Sequence, residues 1–195
     1  MNTNQRMRAL ALGLTLAFAS AAAPMAMADS MSSMSGKTVM VGGAAMLPSK
    51  NIIENAVNSK DHTTLVAAVK AAGLVETLSG AGPFTVFAPT NEAFAALPAG
   101  TVDTLLKPEN KATLTKVLTY HVVAGDITAA DLLKDIKQGG GKASIKTVSG
   151  DSLTFSKDAH GVAITDDKGN VAHVTIANVK QSNGEIHVID KVLMP

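Results

Sequence analysis

The segment Phe84–Leu97, FTVFAPTNEAFAAL, constrains the fold of this chain more than any other stretch of the sequence. Its first five residues place apolar side chains on both faces of an extended chain, which is typical of a strand covered on both sides. Pro89 cannot donate to a β-ladder and ends the strand. Thr90 or Asn91 can then cap a short helix that buries Phe94. A strand, a turn and a capped helix in such close succession predict a segment at the centre of the core.

Residues 1–28 have the three parts of a secretory signal peptide. Arg6 and Arg8 provide a positive start, an apolar run follows, and residues 26–28 read Ala-Met-Ala ahead of Asp29. We therefore predict export to the periplasm or the medium. The apolar run is too short to span a membrane comfortably, and no other stretch approaches that length, so no membrane span is expected.

The composition limits the possible partners of the mature chain. The sequence has no cysteine, which excludes disulfides and a lipid-bearing cysteine. Removing Arg6 and Arg8 from the 17 basic residues leaves 15 against 16 acidic ones, a net charge of −1 with neutral histidines. A chain with this charge, one tyrosine and no tryptophan lacks the basic and stacking surfaces that nucleic-acid binding needs. We expect one domain, a monomer, held together by core burial alone.

Residues 29–47 are rich in Ser, Gly and Met and show no usable period, which predicts a flexible leader. Met31, Met34, Met40 and Met46 carry thioethers of the kind that select Cu(I). Only one M-x-x-M pair is present and no histidine lies in the leader, so we favour a tail that binds no metal. Copper binding stays as an alternative.

Beyond the leader, the sequence predicts helices first and strands later. Apart from the central strand, residues 48–120 carry apolar stripes at helical spacing, and Thr128 to Asp131 has the shape of a capping box for one more helix. From Ala143 onward the period is two, and turn sequences such as Asn183-Gly184 separate short runs rich in β-formers. This order predicts an α+β domain over residues 48–195, with helices on one side of an antiparallel sheet.

We find no catalytic motif and predict that the chain is not an enzyme. Residues 139–142, Gly-Gly-Gly-Lys, lack the first glycine and the Ser or Thr of a phosphate loop, and no G-x-S-x-G is present. Residues 166–170 begin like a calcium loop but lack its spacing and closing Glu. None of the five histidines shows metal-ligand spacing. His173 and His187 lie in predicted strands and could meet as a zinc pair, although isolated strand histidines are usually structural.

Three segments together resemble the signatures of the fasciclin (FAS1) family, a module of extracellular adhesion proteins. Phe84–Leu97 resembles the first signature, residues 118–123 (LTYHVV) the Tyr-His motif, and residues 183–190 (NGEIHVID) the second signature. They occur in the family's order and frame about residues 48–195. The resemblance implies a β-sandwich wedge flanked by short helices, and an adhesion or protein-interaction module without enzymatic activity.

The resemblance also implies where a partner would bind. In the family, the Tyr-His motif and its apolar neighbours are associated with adhesive recognition, which gives as partner-binding residues Leu118, Tyr120, His121, Val122 and Val123. The partner would be a protein on a cell surface, in a matrix or in the envelope. A buried tyrosine hydroxyl and imidazole must each find a hydrogen-bond partner, so a role in the core is the competing prediction.

Some animal members of the family use an Asp-Ile pair ahead of the second signature for integrin binding. The matching residues here are Asn178 and Val179. A neutral amide is a poorer ligand than a carboxylate for a receptor's metal ion, so integrin binding by this route is not expected. The main alternative to adhesion is a carrier of a small ligand or copper, using the methionine leader or an apolar pocket between helices and sheet.

Overall fold

The structure is a computed structural model that describes residues 38–195. The predicted signal peptide, with Met31 and Met34 of the predicted leader, lies outside the described residues. Within residues 38–195, no helix is both long enough and apolar enough to cross a membrane.

The described residues form seven α-helices and nine strands, and the helices precede most of the strands. The helices are α1 (Ile52–Ala56), α2 (Thr63–Ala72), α3 (Val75–Ser79), α4 (Asn91–Ala95), α5 (Thr101–Leu106), α6 (Lys111–Tyr120) and α7 (Ala129–Gln138). The strands are β1 (Val39–Val41), β2 (Ala44–Met46), β3 (Phe84–Pro89), β4 (Val122–Ala124), β5 (Lys142–Lys146), β6 (Ser152–Asp158), β7 (Gly161–Thr165), β8 (Val171–Gln181) and β9 (Gly184–Ile189). Short 3-10 turns at Lys60–His62 and Pro108–Asn110 lead into α2 and α6. The predicted α+β class is confirmed.

Seven of these strands make one sheet in the order β4-β3-β9-β8-β7-β6-β5. Neighbouring strands are antiparallel except β3 and β9, which run parallel with Phe84 opposite Gly184. The prediction of an antiparallel sheet is therefore right for every pair but this one. Since parallel strands need a crossover, the chain between residues 89 and 184 leaves and returns to the centre of the sheet.

The central segment folds as its sequence predicts. Strand β3 ends at Pro89, and the Thr90 hydroxyl accepts a hydrogen bond from the amide of Ala93, at 3.3 Å, to cap α4. Phe94 is buried on the inner face of that helix. The capping box predicted for α7 is also present, because the side chains of Thr128 and Asp131 each bond to the other's backbone amide.

Two cores pack on opposite faces of β3 and β9. Val86 and Ala88 face the helices α1 to α6, together with residues such as Leu65 and Leu118. Phe87 faces the second core, which contains side chains of β6, β7 and α7. The rings of Phe87 and Phe155 lie 5.2 Å apart between centroids, so the later strands pack against the back of the central ones. The result is the predicted sandwich flanked by helices, but the helices do not all lie on one side as expected, because α7 packs in the second core.

The prediction of a flexible leader is wrong for residues 39–46, which form the hairpin β1–β2. Gly42 and Gly43 have φ values of +57° and +75°, so they make a tight turn that other residues adopt with strain. Val41 and Met46 point inward and join the helical core. The local signal for the hairpin was the alternation of residues on either side of Gly42-Gly43. The packing of the helices on this hairpin could not be predicted from local sequence.

Candidate functional site

Tyr120 ends α6 and is fully buried. Its hydroxyl donates to the carbonyl of Ser152 at 3.3 Å and accepts from the amide of Asp167 at 3.1 Å. Desolvation raises the pKa of this phenol to about 12, so it stays protonated. Tyr120 therefore joins the end of α6 to β6 and to the turn between β7 and β8.

His121 follows directly and is also buried. Its Nε2 accepts from the amide of Leu193 at 3.0 Å, so the proton lies on Nδ1, which donates to the carbonyl of Val117 at 2.8 Å. Burial lowers the pKa of this imidazole to about 4, since a charged ring would be desolvated. Neutral His121 thus fixes the C-terminal segment against α6.

Asp166 connects the turn between β7 and β8 to the C-terminal segment. Its Oδ1 accepts from the amides of Lys168 and Asn170 at 3.0 and 2.8 Å, and its Oδ2 accepts from the amide of Met194 at 3.0 Å. The carboxylate is buried, and it accepts from these three backbone amides and from the side-chain amide of Asn170 at 2.9 Å. The stretch that begins like a calcium loop is therefore a turn held by its own aspartate.

All five residues predicted to bind a partner are buried: Leu118, Tyr120, His121, Val122 and Val123. Leu118 and Val122 belong to the helical core, and Tyr120 and Val123 to the second core. The structure brings the five together, but behind the surface. A partner that approaches this region would meet the residues around them.

An open groove lies over the segments that Tyr120, His121 and Asp166 hold. It has a volume of about 520 Å³, with α4 and the start of α5 on one side and the β7–β8 turn and the C-terminal segment on the other. Its lining includes Leu97, Pro98, Val171 and Met194, with Lys168 and Lys191 exposed beside them. We call this the C-terminal groove. Sequence reasoning missed it because its walls are far apart in the chain.

A second, smaller cavity lies between α1 to α3 and the central strands. It measures about 40 Å³ and its lining is almost wholly apolar, including Ile53, Val66 and Val75. Pockets for drug-sized ligands are usually about 300–1,000 Å³. The apolar pocket that a carrier would need therefore has room for a few water-sized groups only.

Ser59 and His62 form a serine–histidine contact beside that cavity, with Oγ 2.9 Å from Nδ1. Both residues are buried, and the backbone of Gly42 packs on the hydroxyl so closely that a Cβ there would lie 2.4 Å from it. A substrate carbonyl has no space to reach this oxygen. Between the two residues, the amide of Lys60 donates to the carbonyl of Gly42 at 3.2 Å and joins the β1–β2 hairpin to the segment that leads into α2.

The zinc pair that His173 and His187 could have made is not formed, and the alternative of a structural role holds for His187. His187 is buried with Nε2 2.9 Å from the carbonyl of Ile127, while its Nδ1 accepts from the amide of Asn178 at 3.3 Å. Its ring stacks on Phe87 with centroids 5.5 Å apart. Both nitrogens are engaged, so His187 has none free for a metal ion.

His173 instead meets a different set of residues, which the sequence did not indicate. Its Nε2 lies 3.0 Å from Oδ2 of Asp158, its Nδ1 lies 3.1 Å from Oδ2 of Asp190, and its ring is 5.3 Å from that of His160. The only local sign of this cluster in the sequence was the Asp-x-His pattern of residues 158–160 at a predicted hairpin turn. The third residue comes from β8, and only the strand register brings it close.

The methionines of the predicted leader do not converge in the part of the chain that the structure describes. Met40 is 59% exposed, whereas Met46 is 3% exposed and packs in the helical core. The two side chains thus leave the hairpin in opposite directions, so they cannot share a copper ion.

Asn178, at the position of the animal Asp-Ile pair, has a structural task. It has a φ of +58° where β8 is irregular, a conformation that asparagine tolerates better than most residues. Its Oδ1 accepts from the amide of Ala129 at 2.8 Å at the start of α7.

This fold, with a buried Tyr-His pair beneath the carboxyl end of the central strands, is that of a known class of domain. The chain belongs to the fasciclin domain family, whose family model matches residues 60–195. The family suggested by the three sequence signatures is confirmed.

Among similar proteins, the chain is 53% identical to protein sll1483 of Synechocystis sp. over 159 residues, 82% of this chain and 81% of that protein. It is 33% identical to the cell surface glycolipoprotein MPB83 of Mycobacterium bovis over 159 residues, 79% of this chain and 64% of that one. A solved FAS1 domain pair from the insect cell adhesion molecule fasciclin I matches with a TM-score of 0.65 and 19% identity, covering 75% of this chain and 51% of that one. At that identity, the solved structure supports the fold alone.

Proposed function

We propose that this chain is an exported, non-enzymatic adhesion module that binds a protein of a cell surface, a matrix or the envelope. The C-terminal groove is the binding surface. One observation carries this proposal: the buried Tyr120–His121 pair forms hydrogen bonds to Asp167 and Leu193, which belong to the two segments that wall the groove. The Tyr-His motif then supports recognition from beneath, without touching the partner.

The chemistry of the groove favours an extended partner segment that carries an apolar side chain flanked by Asp or Glu. Leu97, Val171 and Met194 offer apolar contact, and burial of such a centre within a polar rim is typical of protein interfaces. Lys168 and Lys191 supply positive charge beside it, and neither forms an ion pair within residues 38–195. Complementary charge would orient an acidic segment and speed its association.

Two observations favour adhesion over a carrier. The apolar cavity of about 40 Å³ is far below the size of a usual ligand site, and Met40 and Met46 diverge. The buried Ser59–His62 pair, closed off by Gly42, likewise favours a structural role over hydrolysis.

Charge reversal tests the groove. The variant Lys168→Glu/Lys191→Glu is expected to bind the producing organism's cell-envelope fraction about tenfold more weakly than the wild type, because attraction becomes repulsion. The matched control is Lys134→Glu/Lys137→Glu on the exposed side of α7, which makes the same change of charge elsewhere. Binding of labelled mature protein, measured over a salt series, separates the two. Equal loss in both variants would reject the groove as the site.

Photocrosslinking gives a second measurement with its own control. A photoreactive residue at Val171, in the groove, is expected to form an adduct with one envelope protein. The same photoreactive residue at Val148 is expected to form no adduct. The two positions are similarly exposed, Val171 by 36% and Val148 by 45%. An adduct at residue 148 that is as strong as the one at residue 171 would contradict the proposal.

A further inference from the structure

The outer end of the β6–β7 hairpin carries a cluster of metal-ligating groups. Asp158, His160 and His173 each offer one ligand atom, and the three atoms lie within 4.8 Å of one another. Residues of this type, imidazole and carboxylate together, are the ligands that zinc takes in proteins.

The strand register explains how the three residues meet. Asp158 ends β6 opposite Gly161, so His160 lies in the two-residue connection between β6 and β7. His173 on β8 lies opposite Ala163 of β7. Gly161 and Ala163 are two residues apart and so lie on the same face of β7, and both are small. Side chains from the flanking strands can therefore reach each other across β7.

One pair of ligand atoms has a separation close to that of a tetrahedral zinc site. Zn–N and Zn–O bonds of about 2.0–2.1 Å at tetrahedral angles place ligand atoms about 3.3 Å apart. His173 Nε2 and Asp158 Oδ2 are 3.0 Å apart. His160 has a ring nitrogen within 4.8 Å of the ligand atoms of both other residues, and its side chain is 77% exposed at the turn, so a change of side-chain torsion can bring it into range.

The remaining carboxylate groups and amides hold the ligands in place. The amide of His160 donates to Oδ1 of Asp158 at 2.8 Å, which leaves Oδ2 for a metal. Asp190 accepts from the amide of His173 at 2.7 Å through Oδ1, while its Oδ2 faces Nδ1 of the same residue at 3.1 Å. A carboxylate behind a ligating imidazole fixes the tautomer with a free Nε2, as it does in many zinc sites.

We propose that Asp158, His160 and His173 bind one Zn²⁺ ion, with Asp190 as the residue that orients His173. A water molecule, or a donor from another molecule, completes the coordination, since the cluster opens to solvent through a recess of about 550 Å³. This site does not depend on the C-terminal groove as the adhesion surface. A failure of either proposal leaves the other in place.

The test is a titration of the metal-free mature protein with Zn²⁺, followed by calorimetry and by imidazole NMR signals. The wild type is expected to bind one equivalent, with shifts at His160 and His173 but none at the buried His62, His121 and His187. Asp190→Asn is expected to weaken binding about 10–100-fold, the usual cost of losing such a supporting carboxylate. Asp103→Asn on α5 is the control, since it removes an exposed carboxylate outside the cluster.

His160→Ala and His173→Ala are both expected to abolish the one-equivalent binding and the rise in Tm that Zn²⁺ gives the wild type. His160 lies on an exposed turn, so its loss leaves the metal-free Tm unchanged and separates binding from folding. No saturable binding by the wild type, or full binding by His160→Ala and His173→Ala, would overturn the proposal.

Discussion

At the scale of single residues, buried ionisable groups set how the stability of the domain depends on pH. His121 has a pKa lowered to about 4 by burial, against 6.5 in the unfolded chain. Its contribution to stability is complete above pH 6.5 and is lost as the pH falls through 4, because the unfolded chain then binds a proton that the fold excludes. The same sign applies to His62 and His187, whose pKa values burial also lowers.

Glu185 has the opposite sign and gives a testable prediction. It is buried in β9, and desolvation, helped by the nearby carboxylate of Asp126, raises its pKa to about 7 from 4.5. The folded state therefore holds the proton more tightly, and this group lowers stability as the pH rises from 4.5 through 7. Glu185→Gln is expected to raise the free energy of unfolding at pH 8 by about 1–3 kcal/mol and to leave it nearly unchanged at pH 4.5. Denaturant melts at the two pH values measure this, and an equal effect at both would contradict it.

Phe94 tests the central segment. Phe94→Ala is expected to lower the free energy of unfolding by about 3–5 kcal/mol, because the ring is buried in the helical core. Leu133→Ala on α7 is the control, since that side chain is 37% exposed and its loss is expected to cost less than about 1 kcal/mol. Urea melts compare the two. A loss below about 1 kcal/mol for Phe94→Ala would mean that the segment packs differently.

At the scale of elements, the β1–β2 hairpin shows where local sequence stops being informative. The strand, turn and cap of residues 84–97 and the capping box at Thr128 were predictable, because the signals lie within a few residues of each other. Burial of Val41 and Met46 depends on helices that follow later, and the parallel pairing of β3 with β9 joins residues about a hundred positions apart. The cluster of Asp158, His160 and His173 and the C-terminal groove have the same origin in strand register and tertiary packing.

The two glycines of that hairpin give the prediction at this scale. Gly43→Ala is expected to lower the free energy of unfolding by about 1–2 kcal/mol, the cost of the left-handed conformation. No steric cost is added, because nothing lies within 4 Å of its Cβ position. Gly42→Ala carries the same backbone cost and also brings a Cβ to 2.4 Å from Ser59 Oγ and 2.7 Å from the amide nitrogen of Asp61. We expect a further loss of at least about 1–2 kcal/mol in denaturant melts. Equal losses for the two variants would show that the hairpin does not pack on Ser59.

At the scale of the whole molecule, β3 and β9 divide the domain into two cores, and each core takes part in holding the groove. Leu193 packs in the second core while its amide bonds to His121 at the end of α6. Val192 packs with the helices on the opposite face. The groove therefore lies where both cores meet the C-terminal segment, so its shape depends on the packing of the complete domain.

The parallel pairing of β3 with β9 also bears on how the chain is made. Ribosomes deliver β3 about a hundred residues before its central partner β9, and neither core is closed until β9 and Leu193 arrive. Contacts between such distant segments form late and slowly, because the intervening chain must first be ordered. A nascent chain of this kind cannot complete either core while most of it is being synthesised. If the chain is exported through a narrow channel, as we propose, this order of strands delays completion of the fold until β9 has crossed.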